Sequence, residues 1–364
     1  MSGMKIAYVV LYLRNNLLLS GVGRKITSQV STWKEIGNNV QLFIVSPEEI
    51  SLPNVISFQY NLGKYNRNFN NILGTSRSHA IKRLLGKVKE FNPDIIYLRY
   101  GLFNYPLHEI FNISPVVIEV NTNDVAEYYT QGFVHGLYNQ LTRGLLFNKA
   151  SGIVCVTNDI AVLKVIKPFN KPIKVLRNGI DLNKFKELPG LPNNYVNCAF
   201  IGITGIWQGI DKLLYFAKTY PELHFDIVGE IPAYFQTSGF DNIRFHGFLD
   251  EIRIRQVYMN SRISFGPLAL HRKKMNEASA LKVMESLAYG IPVVLGYKET
   301  ELSDYNFDFI LQIANNEDNI KDYAEEIFNF YHRMKGRRVD RNMISPIIDL
   351  HVIEKKRIDF LELF

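Results

Sequence analysis

The residue types best suited to chemistry lie in one segment of the chain, Leu268–Val294. Two glutamates, Glu277 and Glu285, stand seven residues apart around Ser279 and Lys282. This spacing alone is weak, but a basic loop precedes it, and Gly-Ile-Pro and a β-rich run follow it. The order of strand, basic loop, acidic residue and helix start is typical of a site that binds nucleotide phosphates.

The start of the helix in this segment is expected to supply backbone donors. Ser279 has the residue type of an N-cap, so it is predicted to be the residue that precedes the helix. The amides of Ala280, Leu281 and Lys282 would then face outward at the positive end of the helix dipole. The Lys282 side chain adds a full positive charge in the first turn. A diphosphate fits such a site.

Other side chains around this helix start complete the hypothesis. Arg272 and Lys273 can add phosphate contacts, although a basic loop is often merely solvated. Glu285, less than two turns into the helix, can accept hydrogen bonds from the paired hydroxyls of a ribose. Glu277, just before the helix, can hold sugar hydroxyls or stabilise positive charge near an anomeric carbon. The alternative is that both glutamates are ordinary solvated carboxylates.

Alternating strands and helices must position these residues, and the first half of the chain shows that alternation. A glycine-bearing loop, Ser20–Gly23, follows the first strand and precedes the first helix. The strands are predicted at Lys5–Leu11, Val40–Val45, Asp94–Tyr100, Pro115–Asn121 and Gly152–Thr157, and the helices at Arg24–Ile36 and Arg77–Phe91. Continuous apolar strands separated by helices indicate one doubly wound α/β domain.

The second half repeats this pattern after the turn-rich stretch Leu188–Pro192. Its strands are predicted at Val196–Gly202 and Leu223–Gly229 and in the runs IRFHGF, RISFGPL and PVVLGY, and its helices at Asp211–Thr219 and Ala280–Tyr289. The fold class is therefore α/β, with two Rossmann-like domains and a cleft between them. The last residues, 347–364, are predicted to form a helix that crosses back to the first domain.

Composition excludes several classes of protein. The chain has 364 residues, of which 47% are hydrophobic and 21% charged, so it is neither a disordered chain nor a disulfide-stapled miniprotein. Both cysteines, Cys155 and Cys198, lie in apolar runs, which indicates buried thiols in a reducing compartment and leaves no Cys-based zinc site. No stretch has the length and hydrophobicity of a membrane span, so the protein is expected to be cytoplasmic, or peripheral at the inner face of the membrane.

Charge is distributed unevenly along the chain. Residues 1–185 hold 21 Lys and Arg against 11 Asp and Glu, and the remainder holds 21 against 24. A basic first half indicates an anionic partner, such as a lipid surface, a phosphate-bearing substrate or nucleic acid. No zinc-finger, basic-zipper or RRM signature supports nucleic acid. The helix Arg77–Phe91 is a possible membrane element, although its apolar residues are expected to pack on their own sheet.

The segment around Glu277–Val294 resembles the donor motif of the family 4 retaining glycosyltransferases, which have the GT-B fold. Arg177–Asp181 also resembles the inter-domain junction "NGVD" of that family. The resemblance implies an acceptor domain over residues 1–185, a donor domain over 186–346 and a helix at 347–364 that packs back on the first domain. It implies the transfer of a sugar from a UDP- or GDP-linked donor, with retention, to a glycan or lipid-linked acceptor in bacterial surface-polysaccharide synthesis.

The resemblance also implies roles for single residues. Glu277 is the catalytic candidate, contacting the transferred sugar, and Glu285 binds the ribose. The implied donor-binding residues are Gly21, Gly23, Gly202, Gln208, Gly229, Arg272, Lys273, Ser279, Ala280, Leu281, Lys282 and Glu285, and the acceptor-binding candidates are Arg99, Glu119 and Asn121. No cofactor, metal or nucleic acid is expected, and an anionic membrane surface is a further candidate partner.

Two departures from the family pattern keep an alternative open. The family's arginine and lysine that clamp the diphosphate are absent from Gly202–Gly209, where Arg272 and Lys273 are the candidate replacements. The histidine expected in the first domain is replaced by Glu119-Val120-Asn121. The alternative is a non-catalytic GT-B protein that binds a sugar nucleotide or a partner transferase. A sugar-nucleotide epimerase of the same fold fits the glutamate motif less well.

Overall fold

The computed structural model describes residues 3–12, 17, 20–61, 75–186, 188, 197–202, 205–230 and 239–364. The chain divides into two compact units. Unit 1 consists of Met1–Arg177 and Leu350–Phe364, and unit 2 of Asn178–Asp349. The first division between the units therefore lies between residues 177 and 178, and the acceptor and donor domains at 1–185 and 186–346 stay a prediction. Most of the turn-rich stretch Leu188–Pro192 lies outside the described residues.

Unit 1 is built on a seven-stranded sheet whose paired strands are all parallel, in the order β3-β2-β1-β4-β5-β6-β7. The strands are β1 (Lys5–Leu11), β2 (Asn39–Ser46), β3 (Val55–Gln59), β4 (Ile95–Arg99), β5 (Val116–Val120), β6 (Gly152–Cys155) and β7 (Ile173–Val175). The central strands are buried almost throughout, as expected for a sheet covered by helices on both faces.

The helices of unit 1 described here connect these strands. They are α1 (Gly21–Glu35), α2 (Thr75–Phe91), α3 (Asp124–Thr130), α4 (Phe133–Thr142), α5 (Gly144–Phe147) and α6 (Asn158–Ala161). Helix α2 buries Ile81, Leu84 and Val88 and exposes its lysines, which confirms that its apolar side packs within the unit.

The glycine-bearing loop predicted after β1 is wrong, because the helix already begins at Gly21. Ser20 is its N-cap, and the Ser20 hydroxyl accepts a hydrogen bond of 3.0 Å from the Gly23 amide. Gly21 and Gly23 thus lie in the first turn of α1. The serine satisfies a backbone donor there that a loop would have left to a ligand or to water.

Unit 2 is built on a parallel six-stranded sheet in the order β10-β9-β8-β11-β13-β15, with a separate pair formed by β12 and β14. The strands are β8 (Asn197–Ile201), β9 (His224–Val228), β10 (Ile243–Gly247), β11 (Ser261–Phe265), β12 (Glu277–Ala278), β13 (Val293–Leu295), β14 (Lys298–Glu299) and β15 (Ile310–Gln312). The helices are α7 (Ile210–Thr219), α8 (Glu251–Met259), α9 (Leu281–Ala288), α10 (Asn319–Asp322), α11 (Ala324–Arg333) and α12 (Arg341–Ile348).

The final helix, α13 (Leu350–Leu361), belongs to unit 1. It packs against α1. Its Glu354 is 1% exposed and accepts a hydrogen bond of 2.7 Å from the indole N–H of Trp33. None of the described helices is long and apolar enough to span a bilayer.

In each sheet the strand order reverses at one point. This point lies between β1 and β4 in unit 1, and between β8 and β11 in unit 2. In doubly wound folds, ligands bind in the crevice that opens at the carboxyl ends of the strands beside such a reversal. These two crevices are therefore where a site is expected in each unit.

Candidate functional site

The helix start that carries the phosphate hypothesis lies one residue later than predicted. Ala280, rather than Ser279, is the N-cap of α9, and no side chain caps it. The Ser279 hydroxyl instead accepts a hydrogen bond of 2.9 Å from the Asn178 amide, and the Asn178 side chain donates to the Ser279 carbonyl at 2.8 Å. Ser279 therefore ties the strand before α9 to the first residue of unit 2.

One of the three amides expected to face a diphosphate is already bonded. The Ala280 amide donates to the buried Glu299 carboxylate at 3.3 Å. The amides of Leu281 and Lys282 occupy the first helical positions, where no carbonyl of the same helix can accept them. These two amides are the backbone donors that α9 offers to an anion.

Lys282 and Gly202 meet at the carboxyl end of β8, beside the strand reversal of unit 2. The Lys282 Nζ donates to the Gln208 side-chain oxygen at 2.7 Å and lies 4.0 Å from the centre of the Phe200 ring. A Cβ atom on Gly202 would clash with the end of the lysine side chain. Burial lowers the pKa of Lys282 to about 7, although the nearby Glu285 raises it.

Gly202 and Gly229 bring two strand ends into close backbone contact. Gly229 follows β9 with φ +123°, and a Cβ atom on it would clash with the Gly202 carbonyl oxygen. Gly202 itself has φ +153° and donates to the Val228 carbonyl at 2.9 Å. Only glycine satisfies both the backbone angle and the spacing at Gly229. Three residues predicted to bind the donor, Gly202, Gln208 and Lys282, therefore lie together, and Gly229 lies against Gly202.

The two glutamates of the motif differ in their environments. Glu277 lies in β12, which pairs with β14 through Lys298, and its side chain is buried with 2% exposure. Glu285 lies in the second turn of α9 and is half-buried. It is close enough to Lys282 to raise the pKa of that lysine. Glu277 is therefore not the ordinary solvated carboxylate of the alternative interpretation.

The basic loop before β12 is largely committed to other contacts. Arg272 pairs with Asp211 at 2.7 Å and with Glu317, and it also donates to the Ile206 carbonyl at 3.0 Å. Hydrogen bonds to Asp211 and Glu317 raise the pKa of Arg272. The Lys273 ammonium lies 3.6 Å from the centre of the Trp207 ring. Arg272 is thus already matched by two carboxylates, which weakens its case as a diphosphate clamp.

Unit 1 holds a buried charged cluster at the end of β5. Glu119 is 0% exposed and pairs with Lys25 at 2.9 Å, Arg99 at 3.1 Å and Arg357 at 3.5 Å. Asn121 donates to it at 3.0 Å. Burial alone would raise the pKa of Glu119, but Lys25, Arg357 and Arg99 hold it well below its ordinary value. Burial lowers the pKa of Lys25 to about 8, against the pull of Glu119.

This cluster changes the expectation for the acceptor candidates. Glu119 does not reach the surface, so it orients Arg99 and Asn121 instead of facing an acceptor. Arg99 and Asn121 are partly exposed near the strand reversal of unit 1. Lys25 and Arg357 could not be found from the sequence, because neither residue lies in a motif and their partner, Glu119, is distant in the chain.

Metal chemistry was not expected from the sequence. Among the residues that the structure describes, no group of three or more His, Cys, Asp or Glu side chains is placed to hold a metal ion. Both cysteines are buried, and burial raises the pKa of Cys155 to about 12. Neither thiol is therefore a nucleophile at neutral pH.

Replacing Lys282 with methionine tests the anion site. The substitution is expected to weaken the binding of a nucleoside diphosphate about 10- to 100-fold, since a charge-assisted hydrogen bond contributes about 1.5–3 kcal/mol. Because the pKa of Lys282 is about 7 without ligand and an anion favours the ammonium, wild-type affinity falls as pH rises above 7. Titration calorimetry at several pH values measures both effects.

Lys218→Met is the matched control, because Lys218 is an exposed lysine of α7 in the same unit. It is expected to bind the diphosphate like the wild type. The Lys282 variant should lose the pH dependence above 7 as well as affinity. Equal affinity and equal pH profiles in wild type and Lys282→Met would exclude the ammonium from the site.

Comparison with known proteins supports a glycosyltransferase. Residues 210–333 match the profile of the family described as glycosyl transferase-like, and this range includes Glu277, Lys282 and Glu285. The fold is GT-B. No curated protein matches the sequence. The finer assignment, to family 4 and to surface-polysaccharide synthesis, stays a prediction.

The similar solved structures cover nearly the whole chain. Sucrose-phosphate synthase from Thermosynechococcus elongatus has 10% identity over 99% of this chain and 98% of that chain, with a TM-score of 0.74. An alpha-glucosyltransferase solved with UDP-glucose and DNA containing an abasic site has 12% identity over 99% and 100%, with a TM-score of 0.69. Anabaena HepE, solved with UDP-glucose, has 13% identity over 99% and 100%, with a TM-score of 0.63. At these identities the likeness shows the fold.

Proposed function

We propose that this protein is a retaining glycosyltransferase that moves a sugar from a nucleotide-diphosphate donor to a glycan acceptor. The observation that carries the proposal is the position of Lys282, beside Gly202 and Gln208 at the carboxyl end of β8. This is the edge of the sheet where doubly wound folds bind ligands, and it lies next to free helical amides. Two similar structures were solved with UDP-glucose, so a UDP-sugar is the first donor to test.

The proposed role of each side chain depends on where charge develops in the transition state of sugar transfer. In front-face transfer, the bond from the anomeric carbon to the diphosphate breaks as the acceptor oxygen bonds on the same face. The hydroxyl proton passes to a diphosphate oxygen. Lys282 and the amides of α9 stabilise the negative charge that grows on the leaving diphosphate. The carboxylate of Glu277 stabilises the positive charge at the anomeric carbon, and Glu285 holds the ribose hydroxyls.

The acceptor side is proposed to lie on unit 1. Arg99 and Asn121 are the side chains that the Glu119 cluster orients, and both are partly exposed. A cationic edge suits an acceptor that carries phosphate, such as a lipid-linked glycan in surface-polysaccharide assembly. Nucleic acid is not proposed as the acceptor, although one similar protein was solved with DNA.

One observation favours the non-catalytic alternative. The candidate replacement for the missing clamp, Arg272, is neutralised by Asp211 and Glu317. With fewer free cations, a departing diphosphate is less well stabilised. A protein that binds a sugar nucleotide without turning it over fits this arrangement.

Measuring the release of nucleoside diphosphate distinguishes the transferase from the non-catalytic binding protein. The protein is incubated with UDP- and GDP-sugars, with and without lipid-linked acceptors, and the free diphosphate is measured over time. The transferase is expected to release diphosphate slowly with one donor alone and faster with its acceptor. Nucleotide binding with no release or transfer for any acceptor supports the binding protein and contradicts the transferase.

Glu285→Ala tests the proposed ribose contact. Losing two hydrogen bonds to a carboxylate is expected to weaken nucleotide binding about 10- to 100-fold. The matched control is Glu251→Ala, which removes an exposed carboxylate from α8 of the same unit. Affinities are compared by calorimetry with the same nucleotide. If Glu285→Ala and Glu251→Ala bind it equally well, Glu285 does not hold the ribose.

A further inference from the structure

Helix α4 buries polar side chains and exposes apolar ones. His135 and Asn139, with Arg143 just after the helix, are each at most 6% exposed. The outward side chains are apolar, and together they are called the outer stripe: Phe133, Val134, Leu137, Leu141 and Leu145. At 3.6 residues per turn they cover an arc of roughly 120°.

Polar contacts hold this helix in place, which leaves its apolar side free. Asp124, on α3, accepts hydrogen bonds from Asn139 at 2.8 Å and from Arg143 at 2.9 Å. The Tyr100 hydroxyl donates to Asn139 at 2.7 Å. Most amphipathic helices bury their apolar side to gain stability. Here a buried ion pair and its hydrogen bonds hold the helix on its unit.

The outer stripe is extensive for a surface. Phe133 is 70% exposed and Leu141 is 74% exposed, and Tyr129 extends the stripe by packing its ring 6.2 Å from that of Phe133. Residues 133–142 contain no Asp, Glu, Lys or Arg. A contiguous apolar patch of this kind marks an interaction site and not a chance exposure.

A lysine-bearing segment packs against the inward side chains of this region. Phe147, at the end of α5, stacks on Phe169 at 4.9 Å, and Arg143 donates to the Val165 carbonyl. The segment that makes these contacts carries the exposed Lys164 and Lys167. Over residues 128–174 the chain has six Lys and Arg against one acidic residue, Asp159.

We propose that the outer stripe is a membrane-docking surface that inserts into the interface of a bilayer containing anionic lipids. Exposed apolar side chains of a helix can insert into the interface of a bilayer, and the lysines of the segment packed on its inward side add attraction to anionic headgroups. Docking brings unit 1 to the lipid that carries the acceptor, so this surface deepens the proposed function. The lipid-linked acceptor itself rests on the proposed function. The outer stripe differs from helix α2, whose apolar side is buried.

Vesicle co-sedimentation tests the surface on the whole chain without nucleotide. The wild type is expected to bind phosphatidylcholine vesicles that contain phosphatidylglycerol, and to bind less at high salt. The double variant Leu137→Gln, Leu141→Gln is expected to bind at least about tenfold more weakly. Lys164→Gln with Lys167→Gln is expected to lower binding about 5- to 30-fold, and only with anionic vesicles.

The control is Phe248→Gln with Ile252→Gln, because both side chains are more than 70% exposed but lie in unit 2. This pair is expected to bind vesicles like the wild type. No binding by the wild type, or unchanged binding by the stripe variant, overturns the proposal. The proposal is also overturned if the wild type is a dimer that does not bind vesicles and the stripe variant is a monomer. The stripe would then bind a second copy of the chain.

The two proposals fail separately. Nucleotide binding, followed by thermal stability, uses unit 2 and is expected to be equal in the wild type and the stripe variant. If no nucleotide binds but the vesicle results hold, the donor site fails and the docking surface stands. If nucleotide binds and vesicles do not, the docking surface fails alone.

Discussion

Glu119→Gln is expected to lower the free energy of unfolding of unit 1 by about 3–5 kcal/mol, because removing one partner leaves buried charges uncompensated. Glu119 is 0% exposed, and Lys25, Arg99 and Arg357 all pair with it. Glutamine keeps the shape of the side chain, so the loss reports charge and not a cavity. Scanning calorimetry should show the transition of unit 1 at a temperature lower by roughly 2–4 °C per kcal/mol.

The pH dependence has a definite sign. The pKa of Glu119 is held well below its ordinary value of 4.5, so its stabilisation is full above that value and is lost as pH falls below it. The difference between wild type and variant should therefore shrink in acid. Glu90→Gln is the control, since Glu90 pairs with Lys87 at the surface and should change stability by less than about 1 kcal/mol. Equal melting of Glu119→Gln and Glu90→Gln would contradict this role for the cluster.

Glu277→Gln is expected to lower kcat about 100- to 1000-fold, the loss typical of removing one electrostatic stabiliser of a transition state. Nucleotide affinity should change little, because the proposed contact is with the sugar and not the diphosphate. The measurement is steady-state sugar transfer together with calorimetry of nucleotide binding.

Two further variants serve as comparisons for Glu277→Gln. Glu251→Gln, which changes an exposed side chain at the start of α8, should keep full turnover. Glu285→Gln should lose nucleotide affinity first, which is the opposite division between binding and turnover. Because Glu277 is buried, retained nucleotide binding in Glu277→Gln shows that unit 2 is folded. A variant that binds nucleotide and keeps its kcat would remove Glu277 from the mechanism.

The architecture could be predicted from the sequence because its signals are local and repeated. Continuous apolar strands between helices indicated both doubly wound sheets. The chain segment that forms α9 was also found, since Gly290 and Pro292 mark its end.

Details of the site could not be predicted because they depend on distant partners. Ser279 has the residue type of an N-cap, but its hydroxyl is bonded to Asn178, which lies 101 residues away. Arg272 stays a predicted phosphate-binding residue, but its ion pairs with Asp211 and Glu317 could not be anticipated from the sequence. No local pattern reveals such pairings, since they depend on which strand ends and loops meet in the folded unit.

The conformation at Gly21 and Gly23 could not be predicted for a different reason. A pair of glycines after a strand is compatible with a loop or with the first turn of a helix. Ser20 decides between them, because its hydroxyl caps the helix at Gly23. The roles predicted for these glycines in donor binding stay predictions, now as part of a helix start.

The central claim is that a sugar nucleotide binds beside Lys282 in unit 2, and ligand-linked thermal stability tests it most directly. Wild type, Lys282→Met and Glu285→Ala are melted with a panel of UDP-, GDP- and ADP-sugars. At a ligand concentration of 100 times Kd, the wild type should gain about 2.7 kcal/mol with one base, and both variants should gain clearly less. No stabilisation of the wild type by any sugar nucleotide, or equal stabilisation of all three proteins, would contradict the account.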